Sequence, residues 1–201
     1  MEYKERRRQQ GQQTEKLILA SAIQLMKEQG FDQVSVRDIC AHAGITTGAF
    51  YHHFRSKDEL LERGFAPLDQ YMEQQLSRHE DDTPSQRMDH ILETYVAFMS
   101  SIGPTLIARY YQQRLTKPTF RSMDPTRFTL RAILNCFQEA KRRGELAMEC
   151  APEWAAQFCF SHFRGTLIDW VLSGHQESLA DRMWSEQPIL KRLFLKQAQP
   201  V

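Results

Sequence analysis

The eleven residues GITTGAFYHHF, Gly44 to Phe54, hold the densest set of side chains in the chain that could do chemistry: Thr46, Thr47, Tyr51, His52 and His53. No Asp or Glu stands among them. Hydroxyls and imidazoles without a neighbouring carboxylate suit a polar or anionic partner. Elsewhere the chain shows no nucleophile placed with a base, no paired carboxylates, no phosphate-binding glycine loop and no metal signature, so an enzyme is not expected.

Four cysteines, Cys40, Cys136, Cys150 and Cys159, are scattered without a C-x-x-C pair, the pattern of buried thiols in a reducing compartment. Cys159 and His162 stand at i and i+3 but supply only two ligands, too few for a tetrahedral site, and Cys40 and His42 cannot face one another on a helix. No metal and no cofactor is expected.

The chemistry-bearing stretch needs elements to position it. Residues 14–29 place Ile18, Ala22, Leu25 and Met26 on one helical face, with Gly30 where a left-handed cap would sit. Ser35 and Asp38 form a capping box for a second helix, Val36 to Ala43, expected to bury Val36, Ile39, Cys40 and Ala43. Gly44 ends it, because a sharp reversal calls for positive φ. A third helix runs from Thr46 or Thr47 to His53, burying Ala49, Phe50 and Phe54 and turning Thr47, Tyr51 and His52 outward. Ser56 and Glu59 cap a fourth helix, continued by Leu60, Leu61, Phe65, Leu68, Met72 and Leu76 at mostly helical spacing.

After the charged stretch SRHEDDTPSQ, helices are expected at 85–101, 104–116, 126–143, 152–173 and 178–197, with Pro188 kinking or restarting the last. The fold class is all-α, about nine helices, with residues 1–60 as one domain and 61–201 as another. At 201 residues, 41% hydrophobic and 25% charged, the chain can bury a core, and no apolar run approaches the roughly 18 residues of a membrane span. The start MEYKERRRQQGQQ has no apolar stretch behind it to act as a signal peptide, so a cytoplasmic protein is expected. Net charge is +1, distributed as +3 over residues 1–57 and −2 over the rest, which directs any nucleic-acid surface to the N-terminal quarter.

Two short helices joined by a tight glycine turn make a helix-turn-helix, whose second helix enters a DNA major groove. Such a helix avoids acids, keeps its apolar side on the bracing core and carries small polar groups at its front; Thr46 to His53 does all three. The starts of the second and fourth helices, with Arg37 and Lys57 adjacent, offer N–H groups for phosphates.

The run SVRDICAHAGITTGAFYHHFRSKDELL, preceded by ILASAIQLMKEQGFDQV, resembles the DNA-binding domain of the TetR family of bacterial transcriptional regulators over about residues 14–63. The resemblance implies that Thr46, Thr47, Gly48 and His52 face base edges of double-stranded DNA and that Ser35, Arg37, Tyr51, His53 and Lys57 contact phosphates. Arg6, Arg7 and Arg8 are either an arm for a neighbouring minor groove or a solvated tail. The family further implies a homodimer on a palindromic operator and repression relieved by a small effector.

For the dimer seam the last two long helices offer Trp154, Phe158, Phe163 and Trp170 among small residues Ala155, Ala156, Ser161, Gly165 and Thr166, with Leu179, Met183, Leu190, Leu193 and Phe194 as a second apolar face or as monomer core. For an apolar or aromatic effector, the lining candidates are Phe65, Met72, Tyr95, Phe98, Met99, Ile102, Tyr110, Tyr111, Phe128, Phe137, His162 and Arg164. The alternative is an architectural or partner-binding helix-turn-helix protein with no effector pocket.

Overall fold

Helix starts and stops in this chain are written by caps and prolines. The computed structural model describes residues 2–64, 67–79, 81–116, 123–124, 127–147 and 149–196, in ten helices: α1 (Glu2–Gln29), α2 (Val36–Ala43), α3 (Thr47–His53), α4 (Lys57–Gly64), α5 (Pro67–Leu76), α6 (Pro84–Ile102), α7 (Pro104–Thr116), α8 (Phe128–Arg142), α9 (Pro152–Leu172) and α10 (Leu179–Phe194). Proline opens four of them, α5, α6, α7 and α9, at the first residue, where its missing N–H costs no intrahelical bond. The described residues contain no strand; an isolated antiparallel bridge joins Leu146 and Leu195.

Three expectations change. α1 begins at Glu2 rather than near residue 14, so Arg6, Arg7 and Arg8 lie on a helix, exposed, rather than in an irregular tail. The single fourth helix becomes α4 and α5, the second starting at Pro67, whose ring cannot continue a helical ladder. Val36 and Ala49 are half-buried rather than buried. α10 runs through Pro188 as one element.

The chain divides into two compact units, residues 1–67 with 105–116 and residues 68–104 with 117–201. In the first, α1 buries Ile18, Ala22 and Met26, α2 buries Ile39 and Cys40, α3 buries Phe50, and Phe54, Leu60, Leu61, Leu106 and Ile107 complete the apolar interior. α1 meets α2 and α4, and α2 meets α3.

The second unit is built on contacts of α8 with α9, α6 with α8 and α10, and α9 with α10. Thr83 and Gln86 form a reciprocal capping box at the start of α6, with Pro84 at its first turn. α8 lacks a cap from its own flanking side chain, and Asp69 of α5 supplies one, accepting from the Phe128 N–H at 3.0 Å and Arg127 Nε at 2.6 Å. Asp89 of α6 holds α10 by accepting from Lys191 Nζ at 2.7 Å and Gln187 Nε2 at 3.2 Å. Among the described residues no single helix is long and apolar enough to cross a membrane.

Candidate nucleic-acid interface

The turn between α2 and α3 rests on one backbone conformation. Gly44 has φ 64° and ψ 34°, its N–H reaches back to Ala41 O at 3.3 Å, and the Ile45 N–H closes on Cys40 O at 3.0 Å. This double closure satisfies the last carbonyls of α2 and reverses the chain. A Cβ at Gly44 would meet nothing within 4 Å, so the glycine is required by its left-handed backbone and not by lack of space.

Thr46 then starts α3 with extended backbone, its Oγ1 accepting from the Ala49 N–H at 3.1 Å. The first turn of α3 holds no acid. Phe50 and Phe54 anchor the inner side, both essentially fully buried with ring centroids 5.7 Å apart. The two-sided packing leaves Thr46, Thr47, Gly48, Tyr51 and His52 exposed together. Tyr51 is 57% exposed, its ring edge-on to Phe50 at 5.4 Å. Gly48 sits on ordinary helical backbone, where an added Cβ would find only Thr46 Oγ1 at 3.8 Å; the glycine leaves the front of α3 low. Arg37 and Arg55 are also exposed.

Several expected phosphate contacts are differently placed. Ser35 is committed to its own cap: its hydroxyl donates to Asp38 Oδ2 at 2.6 Å, its N–H donates to the same oxygen at 2.8 Å, and Asp38 N–H returns to Ser35 Oγ at 3.2 Å. Those bonds, the side-chain one first, hold the Asp38 carboxyl below its ordinary 3.8. Lys57 is turned inward, donating from Nζ to Phe31 O at 2.6 Å and Val34 O at 2.8 Å, with Nζ 4.4 Å from the centre of the Phe31 ring. The start of α4 carries a carboxylate as well, since Glu59 Oε2 accepts from the Arg55 N–H at 2.8 Å while Ser56 Oγ accepts from Glu59 N–H at 3.1 Å. Carboxylates of Asp38 and Glu59 thus stand beside the starts of α2 and α4, accepting from the Ser35 and Arg55 N–H groups. His53 is half-buried; its carbonyl accepts from Arg63 Nη1 at 2.8 Å, and Gly11 of α1 lies close to its ring.

A composition-based reading missed how α7 braces this unit. Arg109 lies 4.7 Å from the centre of the Phe31 ring, and Gln113 bonds to Asp58 at the start of α4. The spacing of Arg109 and Gln113 on one α7 face was the available signal.

The candidate pocket residues are spread over both units. Tyr110 is buried and Tyr111 half-buried in the first, and Phe65 lies outside the described residues. In the second, Met72, Tyr95, Met99 and Ile102 are buried and Phe98, Phe128 and Arg164 half-buried; Tyr95 stacks near Phe163 at 5.7 Å and Phe98 near Tyr71 at 5.7 Å. Phe137 is directed to α10, 5.4 Å from the Phe194 ring, and His162 bonds through Nε2 to Glu186 at 2.9 Å. A groove of about 610 Å³ lined by Asp89, Trp184, Gln187 and Lys191 uses none of these residues. Burial pushes the Cys136 and Cys159 thiols up to about 12, leaving them protonated and unreactive at neutral pH.

An acid-free helix, fixed at its front by a capped glycine turn and exposing hydroxyls, a phenol and an imidazole, defines a helix-turn-helix DNA-binding protein. Residues 18–63 match the profile of bacterial regulatory proteins, tetR family. The HTH-type transcriptional repressor BepR of Brucella suis biovar 1 (strain 1330) is 28% identical over 174 residues, covering 79% of this chain and 81% of that protein. Among solved structures, the transcriptional regulator FadR from Bacillus subtilis in complex with stearoyl-CoA superimposes with TM-score 0.66 at 20% identity, over 87% of this chain and 96% of that one. The SmeT–triclosan complex does so with TM-score 0.60 at 20% identity, over 94% and 98%. The chain thus resembles DNA-binding transcriptional regulators of the tetR family, with that family's DNA-binding region matched over residues 18–63.

Proposed function

We propose that the protein is a homodimeric repressor whose two α3 helices read a palindromic operator, and that a small apolar or aromatic effector releases it. The outward face of α3 is the observation that carries this reading. In this reading the exposed Thr46, Thr47 and His52 meet base edges, Gly48 lets the backbone approach, and the exposed Tyr51 and Arg37 hold phosphates. In this reading the first unit binds DNA, and the second binds the effector and dimerises.

The dimer seam draws support from apolar side chains that the protomer leaves uncovered. Trp154 and Phe158 stack at 5.4 Å on α9 and remain exposed, as do Ile189 and Leu193 on α10. Phe163, Trp170, Leu179, Met183, Leu190 and Phe194 are instead buried within the protomer, so the seam is narrower than the sequence pattern alone indicates. The effector reading draws on Met72, Tyr95, Met99, Phe98 and Phe128, with Arg164 as a polar handle. BepR is named a repressor, and stearoyl-CoA and triclosan occupy structures of similar fold. An effector acts to the extent that it binds the released dimer geometry better than the DNA-bound one.

The test is selection of genomic DNA fragments by the purified chain, followed by titration of the recovered site with apolar ligands. A recurring inverted repeat whose binding is weakened by one such ligand supports the reading. An operator insensitive to every ligand, with no cavity of about 300 Å³ or more in the second unit, favours the architectural alternative.

A further inference from the structure

The turn leading from α5 into α6 brings together three potential metal ligands spaced H-x2-D-x7-H in the sequence: His79, Asp82 and His90. Asp82 Oδ2 lies 3.4 Å from His79 Nδ1 and 3.3 Å from His90 Nε2, and one ligand atom from each residue falls within 4.8 Å of the other two. That oxygen is shut off from solvent and makes no well-formed hydrogen bond. A carboxylate oxygen so enclosed calls for a positive partner, which either protonated imidazoles or a metal ion held by them supplies.

We infer that His79, Asp82 and His90 form a binding site for a divalent transition-metal ion of the zinc type. Two imidazoles and one carboxylate select borderline ions such as Zn²⁺ or Co²⁺ over Ca²⁺ or Mg²⁺, which prefer all-oxygen shells. With bonds of about 2.0–2.1 Å, a tetrahedral ion places its ligands about 3.3–3.4 Å apart, which the two edges at Asp82 already satisfy. The third edge, between the two imidazole nitrogens, is within 4.8 Å, and the rings are stacked with centroids 3.7 Å apart, so binding requires them to turn until both lone pairs point at the ion. The fourth position is left for water.

The surroundings suit this assignment. His90 Nδ1 is 3.4 Å from Glu93 Oε2, so a proton on Nδ1 leaves the Nε2 lone pair toward Asp82, the outer carboxylate arrangement typical of metal-bound histidine. Arg87 Nη2 donates to the His79 carbonyl at 2.8 Å and Asp82 N–H reaches the same carbonyl at 3.5 Å, so the turn holds its ligands without the ion. An ion here fastens the turn after α5 to the second turn of α6. The inference stands independently of the regulator reading.

The experiment uses the untagged full chain, stripped with chelator and titrated with Zn²⁺ by calorimetry and with Co²⁺ by visible absorption. One ion per chain and a tetrahedral Co²⁺ spectrum are expected. Both are lost in Asp82→Asn and in the His79→Ala/His90→Ala double variant, and kept in His162→Ala. Glu93→Gln retains one ion per chain with affinity lowered about 10–100-fold. Absence of binding by the wild-type chain, or binding unchanged in the double variant, overturns the inference. Should the variants not fold, Zn²⁺ protection of His79 and His90 from diethylpyrocarbonate, read by mass spectrometry, decides: protection supports the site and equal labelling refutes it.

Discussion

Lys57 Nζ donates to the Val34 carbonyl at 2.8 Å, tying the start of α4 to the connector between α1 and α2. A second bond to Phe31 O and the Phe31 ring beneath the ammonium complete the clamp. A lysine beside a helix-turn-helix invites assignment to a phosphate, but here two of its three donors serve the fold. Lys57→Met is therefore expected to lower unfolding free energy by about 1–3 kcal/mol while leaving the salt dependence of DNA binding unchanged. Denaturant unfolding and binding titrations over a salt series measure the two effects; a flattened salt slope with unaltered stability contradicts the clamp.

Arg37 provides the contrast, since its side chain is exposed on the first turn of α2. Arg37→Ala is expected to weaken binding to every DNA sequence similarly and to reduce the slope of log affinity against log salt by about one. A loss confined to one operator base indicates a different role.

Thr47 stands at the first position of α3, exposed and free of the capping duty that falls to Thr46. Thr47→Ala is expected to relax sequence preference by about 1–3 kcal/mol at the base it faces, with little change on random DNA. Competition between an operator and scrambled DNA reads this directly, and equal losses on both count against base reading.

Gly44→Ala isolates the backbone requirement of the turn, because a methyl group there meets no neighbour within 4 Å. The left-handed conformation alone is expected to cost about 1–2 kcal/mol. Thermal unfolding checks it; an unchanged midpoint shows that the turn tolerates another conformation.

The capping box sets a pH dependence. The Asp38 carboxyl is held below 3.8 chiefly by the Ser35 hydroxyl, so its contribution is complete above the unfolded value and is lost as pH falls through the lower folded value. Wild type is expected to be more stable than Asp38→Asn at neutral pH and to converge with it in acid. A difference that persists undiminished below pH about 2 contradicts this coupling.

The α2 to α3 segment was readable because each of its signals is local: Ser35 and Asp38 cap, Gly44 reverses, Thr46 caps again, and Phe50 and Phe54 mark the inner face. The long helices of the second unit were readable from periodicity bounded by Pro84, Gly103 and Pro152. Long-range partners were not. Nothing adjacent to Lys57 announces the carbonyls of Phe31 and Val34, and nothing adjacent to Asp69 announces that it caps α8. The approach of His90 to His79 and Asp82 likewise depends on how α6 leaves the turn after α5. Apolar residues such as Phe163 and Trp154 share one helix and one composition, yet only packing shows that the first is buried and the second exposed.

The most direct measurement is sequencing of genomic DNA fragments retained by the purified wild-type chain and by a Thr47→Ala/Tyr51→Ala variant of equal thermal stability. A recurring site made of two inverted half-sites, enriched by wild type and lost in the variant, is the expected result. Enrichment without a recurring sequence, or the same site recovered by both chains, contradicts the assignment of the outer face of α3 to DNA.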